Sequence, residues 1–428
     1  MIYMGKLLLF LTNMVFPFAA LGVLLGFVFS ARRRVLKTLW QELKERFALE
    51  KEGAVIQGAL WVHCASVGEV KSVSSLLKEL KSFYQKDILV TTSTVAGKAE
   101  AEKNPDIKQA LLAPLDFYPF SARFVRLAKP HRLLIVEREI WPNMIYAAEK
   151  QQVPVFLINA RISQKSTRAY QWIRPLFTML FSRISLAALQ DEDAAKRYSS
   201  LGVPADKIMV SGNVKYDTLN DQPKKLKEAK ELIKKLGWEK DFILVCGSTH
   251  PLEEDLLLNF SKQWAEEGIK IIFAPRHLER KEEIKNAWQK KIPFAFLSDK
   301  KYPKDTAVLC VDTMGFLQSL YDCASLAFVG GSIAPRGAHN LLEPAILEKT
   351  VLFGKSFYNT PDTAHALLAR GGGVLVNAGN LKATVSRLSK DPAALENMAA
   401  KARQTALSFK GATQKIMGAV KDYERKTT

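Results

Sequence analysis

A series of short polar runs, each directly after an apolar stretch, holds the residues whose types and spacing suit chemistry. In His63–Cys64–Ala65–Ser66–Val67–Gly68–Glu69 an amphipathic helical pattern starts near Gly68, which puts Glu69 in a first helical turn. A carboxylate there can take a proton from a substrate hydroxyl as a general base. It can equally serve only to complement the helix dipole, which weakens a base unless burial offsets it. Ser66 is not a hydrolase nucleophile elbow, because the first glycine of that motif is missing. The run Glu137–Arg138–Glu139–Ile140–Trp141–Pro142–Asn143 sets charges ahead of a proline-started helix, so Glu137 is either a cleft-lining group or half of a surface Glu/Arg pair. In Ser211–Gly212–Asn213–Val214–Lys215–Tyr216–Asp217 the lysine follows a glycine turn and suits a phosphate, with a solvated lysine as the alternative.

The second half of the chain carries runs suited to an anion. Gly247, Ser248, Thr249 and His250 precede a helix that Pro251 can start, so backbone N–H groups and hydroxyls converge at a helix N-terminus, without the glycine-lysine ending of a P-loop. Pro275–Arg276–His277 adds a guanidinium fit for bidentate phosphate contact. Asp312–Thr313–Met314–Gly315 starts another helix. Gly330, Gly331 and Ser332 lead through Gly337–Ala338–His339–Asn340 into Leu341–Leu342–Glu343–Pro344. There a glutamate can accept both hydroxyls of a ribose while glycines let backbone approach the ligand. Together these runs signal a nucleotide site. His63, His250, His277 and His339 lack the i, i+4 pairing of a metal site, so hydrogen-bonding roles are expected and metal ligation is not.

Runs of this kind need strands to hold them, and short β-branched stretches alternate with amphipathic helical ones through the body of the chain. The first half offers strands at Leu60–Cys64, Ile88–Thr92, Leu133–Val136, Val155–Ile158, Leu186–Leu189 and Ile208–Val210. The second offers Phe242–Cys246, Ile271–Ala274, Ala307–Val311, Leu326–Val329, Val351–Phe353 and Gly373–Val376. The expected fold class is therefore α/β: two doubly wound Rossmann-like domains facing across a cleft, with ligands beyond the carboxyl ends of the strands. The lysine-rich stretch 220–240 reads as a linker between a first domain, 32–219, and a second, 241–428, whose helical tail is expected to fold back.

A chain of 428 residues, 48% of them hydrophobic, is long enough for two such cores. Its net charge of +19 implies an acidic partner, and no run interleaves aromatic residues with a basic stripe as nucleic-acid binding would require. Cys64, Cys246, Cys310 and Cys323 stand too far apart for a zinc motif, which points to reduced structural thiols in a reducing compartment. From Leu7 to Ser30 there is no charged side chain, a run long enough as a helix to cross the roughly 30 Å hydrocarbon core, although Asn13 and Pro17 interrupt it. The basic cluster Arg32, Arg33, Arg34 and Lys37 comes after that run, which favours a retained anchor at 1–31 over a cleaved signal peptide and keeps the body cytoplasmic.

The runs His63–Glu69, Glu137–Asn143, Gly212–Asp217, Pro275–His277, Asp312–Gly315 and Gly330–Glu343, in this order, resemble the 3-deoxy-D-manno-octulosonic acid (Kdo) transferases of lipopolysaccharide assembly. The resemblance implies a GT-B glycosyltransferase of a Gram-negative inner membrane, anchored by its N-terminal helix, that inverts the anomeric centre without a metal or other cofactor. It further implies CMP-Kdo as donor and a tetraacylated lipid A precursor as acceptor. The family pattern falls on Glu69 as base and on Glu137 and Lys215 as groups that assist the transition state. Contacts to CMP fall on Pro275, Arg276, Met314, Gly315, Phe316, Asn340, Leu341, Leu342 and Glu343. Arg138 stands where the family often has a small hydroxyl residue. Phe316 replaces a frequent glutamate, which leaves a backbone contact there. The rival readings are a UDP-sugar enzyme of the same fold, transferase or epimerase, and a noncatalytic protein that binds an anionic membrane surface.

Overall fold

The computed structural model describes residues 2–14, 35–299 and 301–427. Residues up to Thr218, together with those from Lys410 onward, form one compact unit, and Leu219–Phe409 form a second. The first holds a seven-stranded parallel sheet of β1 (Leu60–Cys64), β2 (Ile88–Thr92), β3 (Gln109–Leu112), β4 (Arg132–Val136), β5 (Val155–Ala160), β6 (Leu186–Leu189) and β7 (Ile208–Val210). Its order is β3-β2-β1-β4-β5-β6-β7, so the winding reverses between β1 and β4. Crossover helices cover both faces, which is why the strands are apolar throughout rather than alternating. Trp61, Leu133 and Ile135 pack to one side with Phe124, Met144 and Phe181. Leu60, Val62, Leu134 and Val136 pack to the other with Leu76, Leu80, Ile416 and Val420.

The second unit repeats the scheme with β8 (Phe242–Thr249), β9 (Ile269–Pro275), β10 (Phe294–Phe296), β11 (Val308–Cys310), β12 (Leu326–Val329), β13 (Val351–Phe353) and β14 (Gly373–Leu375). Its order, β10-β11-β9-β8-β12-β13-β14, reverses between β8 and β12. In open α/β sheets that reversal is where a ligand crevice forms.

Several elements depart from expectation. The outer strands β3 and β10 were not foreseen, and β8 runs on to Thr249 through a register shift, so Gly247 and Ser248 lie in the strand end rather than in a loop. The stretch 220–240 is no simple linker. It carries the helix Leu226–Leu236, which buries Ala229, Leu232, Ile233 and Leu236, and Trp238 beyond it is buried too, its Nε1 donating to the Thr306 carbonyl at 3.2 Å. Those apolar residues recur every third or fourth position among the lysines, which is a buried helical stripe.

The tail divides. Pro392–Ser408 stays with the second unit, whereas Ala412–Thr427 lies on the first sheet with Ile416, Met417 and Val420 buried. Asp217 fastens that last helix by accepting from the N–H groups of Gly411, Ala412 and Thr413. Arg132 grips Glu424 with two hydrogen bonds, of 3.0 and 2.8 Å.

At the other end, residues 2–14 form a helix seated on the first unit with Gly5 and Leu9 buried, while Tyr3, Leu7, Phe10, Leu11 and Met14 stay exposed. The rest of the anchor expected at 1–31, with Arg32, Arg33 and Arg34, lies outside the described residues. Among those described, no helix is long and apolar enough to cross a membrane.

Candidate functional site

In the first unit the polar residues gather where β1 and β4, paired side by side, reach their carboxyl ends. The helix Val67–Tyr84 begins directly after β1 and its first turn carries Glu69. The Glu69 carboxylate bends back to accept from the Ala65 N–H. Burial raises its pKa to about 7, against that hydrogen bond and with help from the charges of Glu137 and Glu139. Desolvation thus outweighs the hydrogen bond that holds the charge, and the group titrates near neutrality.

Glu137 follows β4 with φ of 59°, a left-handed conformation that a non-glycine residue adopts at some energetic expense. Its carboxylate lies 3.4 Å from Arg161, so the Glu/Arg pairing exists, but with Arg161 and not with the exposed Arg138. Beside it Glu139 accepts from Trp141 Nε1 at 2.8 Å and stands 3.8 Å from Nε2 of the fully buried His63, which holds its carboxyl below the usual range. The other His63 nitrogen meets Thr91 Oγ1 at 3.0 Å. Lys215 sits exposed in the turn Val214–Thr218 after β7. That turn packs against the helix headed by Glu69, and Asn213 Oδ1 accepts the Lys215 N–H at 3.0 Å.

In the second unit the expected contacts lie beyond four adjacent strands, β11, β9, β8 and β12. Gly247 is explained by packing, since a Cβ there would run into the buried Tyr321 hydroxyl. Ser248 takes φ of 55° in the bulge that ends β8. Pro275 closes β9, and the exposed Arg276 donates its N–H to the Thr249 carbonyl at 2.9 Å. His250 and His339 stack with their Nε2 atoms 3.4 Å apart, and His277 meets His250 edge-on. Burial, then the Arg276 charge, pushes His339 down to about 4. Burial lowers His250 as well, with the His277 charge next. Met314 is 77% exposed and Phe316 lies under Lys225, 5.6 Å from the ring centre. Asn340 Nδ2 donates to Glu343 at 3.1 Å, while Leu341 and Leu342 bury their side chains completely, which leaves only their backbone for a ligand.

The glycine-rich turn after β12 is already filled. Glu253, 1% exposed, accepts from the backbone N–H groups of Gly331, Ser332, Ile333 and Ala334 at 2.9 to 3.2 Å and from His250 N–H at 3.1 Å. The expectation that this backbone lies open to a ligand gives way at those four amides, because a protein carboxylate occupies the anion nest they form.

Comparison with known proteins decides what this geometry belongs to. Residues 41–218 match the family described as 3-deoxy-D-manno-octulosonic-acid transferase (kdotransferase). The 3-deoxy-D-manno-octulosonic acid transferase of Haemophilus influenzae is 32% identical over 374 residues, 85% of this chain and 87% of the relative. The enzyme of the same name from Chlamydia muridarum is 32% identical over 355 residues, 81% of this chain and 82% of its own. The chain belongs to the Kdo transferase family.

Kdo transferases are glycosyltransferases, and the fold agrees. A glycosyltransferase from Rickettsia africae superposes with a TM-score of 0.58 at 11% identity, over 86% of this chain and 98% of that one. A UDP-GlcNAc 2-epimerase from Neisseria meningitidis gives 0.55 at 14% identity, over 86% and 100%. Three side chains of this Kdo transferase were not singled out by the polar runs: Glu139, Glu253 and Asp116. Glu253 had a signal, being three residues beyond the helix cap at His250. Asp116, which accepts from the N–H groups of Asn143 and Met144, had none.

Proposed function

We propose that the chain transfers Kdo from CMP-Kdo to a hydroxyl of a lipid A precursor, the tetraacyl disaccharide bisphosphate, in lipopolysaccharide core biosynthesis. Family membership supports the sugar, and Glu69 is the observation that carries the mechanism: a half-buried carboxyl in a first helical turn, titrating at about 7. Ionised, it accepts the acceptor's proton as the hydroxyl oxygen attacks the anomeric carbon. The bond to CMP breaks with its electron pair going to the phosphate, and configuration inverts in one step.

Glu137 offsets the positive charge that builds at the anomeric carbon and Lys215 assists the transition state, while Arg276 meets the charge on the departing phosphate, so a protein cation serves where another enzyme uses a metal. Pro275, Arg276, Met314, Gly315, Asn340 and Glu343, the backbone of Phe316, Leu341 and Leu342, and the strand end Gly247–Ser248 hold CMP. The exposed apolar side chains of helix 2–14 support placing the protein at the cytoplasmic face of the inner membrane, where the basic cluster after it would meet anionic lipid.

The test is incubation of the purified full chain with CMP-Kdo and the lipid A precursor, followed by mass measurement of the lipid. A gain of one or more Kdo masses that disappears in Glu69→Gln is the expected result. No gain in the parent protein, or near-normal turnover in the variant, counts against the reading.

A further inference from the structure

Asn13 is out of place in an uncharged apolar run, and the structure gives it work inside the first unit. Its Oδ1 accepts the Tyr118 N–H at 2.9 Å, and its Nδ2 donates to Asn143 Oδ1 at 2.7 Å and to the Leu9 carbonyl at 2.7 Å. Asn143 is 4% exposed and belongs to the run that carries Glu137. It is held from the far side as well, its Nδ2 donating to the Asp116 carbonyl at 2.7 Å and its N–H to the Asp116 carboxylate at 3.2 Å. Met144 N–H adds 2.9 Å to the same carboxylate, which caps the helix Pro142–Lys150. One residue before that helix stands Trp141, tied to Glu139, and Glu137 is two residues further back.

The geometry points to Asn13 as a positioning residue for sugar transfer: helix 2–14, through its amide, fixes the start of helix Pro142–Lys150 and so the conformation of the Glu137–Trp141 loop. A side chain that both donates and accepts is needed, because Tyr118 presents an N–H and Asn143 a carbonyl oxygen. The docking beneath it is specific too. A Cβ on Gly5 would lie 2.5 Å from the Pro175 carbonyl oxygen, so the helix seats where it does only with glycine there. The N-terminal segment is then part of the catalytic unit and more than a tether. This rests on the reading of the Glu137 loop as part of the transfer site.

The test uses the full chain with detergent-dispersed acceptor. Asn13→Leu keeps the shape and apolar character of the helix while removing the hydrogen bonds to Tyr118, Asn143 and Leu9. It should lower kcat about tenfold to a hundredfold, the penalty of a misplaced catalytic group, with CMP affinity and membrane association unchanged. Hydrogen exchange of the peptide spanning 137–146 should quicken at the same time. Gly5→Leu, which unseats the helix by another route, should reproduce both effects. Wild-type turnover and exchange in Asn13→Leu overturn the assignment, and so does a loss confined to Gly5→Leu, which would make the helix mere packing. Glu137→Gln separates the two levels. If it stays active, the reading of the loop fails; if it is inactive while Asn13→Leu is fully active, only the positioning role fails.

Discussion

Burial and hydrogen bonding pull the Glu69 carboxyl in opposite directions, and the outcome near pH 7 fixes how activity must depend on pH. A base works ionised, so kcat/KM should rise through an acid limb with its midpoint at about 7, measured as a pH–rate profile on the full chain. In Glu69→Gln that limb should vanish along with turnover, down by about 10²–10⁴-fold. Stability moves the other way. The folded value lies above that of a free glutamate, about 4.3, so the folded state holds the proton longer and stability declines as pH rises from there through about 7. Glu69→Gln should therefore melt higher than the parent at pH 8 and level with it at pH 4. Burial raises Glu253 as well, but its carboxylate also fills a backbone nest, accepting from five N–H groups. Glu253→Gln turns an amide N–H₂ toward backbone donors and should destabilise the second unit by about 1–3 kcal/mol, with weaker CMP binding. Denaturant titration and calorimetry check both, and an unchanged midpoint would mean the nest tolerates an amide in place of the carboxylate.

Among the elements, the capping of the last helix by one side chain gives a sharp expectation. Asp217→Ala leaves the N–H groups of Gly411, Ala412 and Thr413 without their acceptor, at a cost of about 1 kcal/mol. Exchange should quicken over 411–427, and an unchanged rate there would show the cap to be dispensable. Central strands were legible in the sequence because burial on both faces demands continuous apolar runs. The edge strands β3 and β10 were not, since neither Gln109–Leu112 nor Phe294–Phe296 has a β-branched residue, whereas the edge strands Ile208–Val210 and Gly373–Leu375 each have at least one and were foreseen. The helix in 220–240 was hidden by its lysines, since charge dominates composition while four well-spaced apolar residues decide packing. The site divides along the same line. Glu137 and Arg276 directly follow a strand and Glu69 opens the helix after one, so each could be named as a candidate from local sequence. Glu253 could not be joined to Gly331 across 78 residues, nor Asn13 to Asn143 across 130, since such pairings exist only once the sheets are built.

At the scale of the molecule, the two units differ in how the chain builds them. Leu219–Phe409 is one continuous segment with its own sheet and core, so that fragment should unfold cooperatively and bind CMP like the full chain, by circular dichroism and calorimetry. A fragment ending at Thr218 lacks Ile416, Met417 and Val420, each contributing about 1.5–3 kcal/mol of burial, and should be soluble poorly or not at all. A well-folded 1–218 fragment would show that the last helix merely decorates the sheet. The same layout has a consequence in time. The helix that completes the first unit is made only after the whole of the second unit. At ~5–20 residues per second the wait between Thr218 and that helix is roughly 10–40 s, during which the second unit can finish folding while a stripe of the first sheet stays uncovered. The unit that holds Glu69 is started before the second and completed after it, so a premature stop ahead of Ile416 disables a unit whose sheet was made long before.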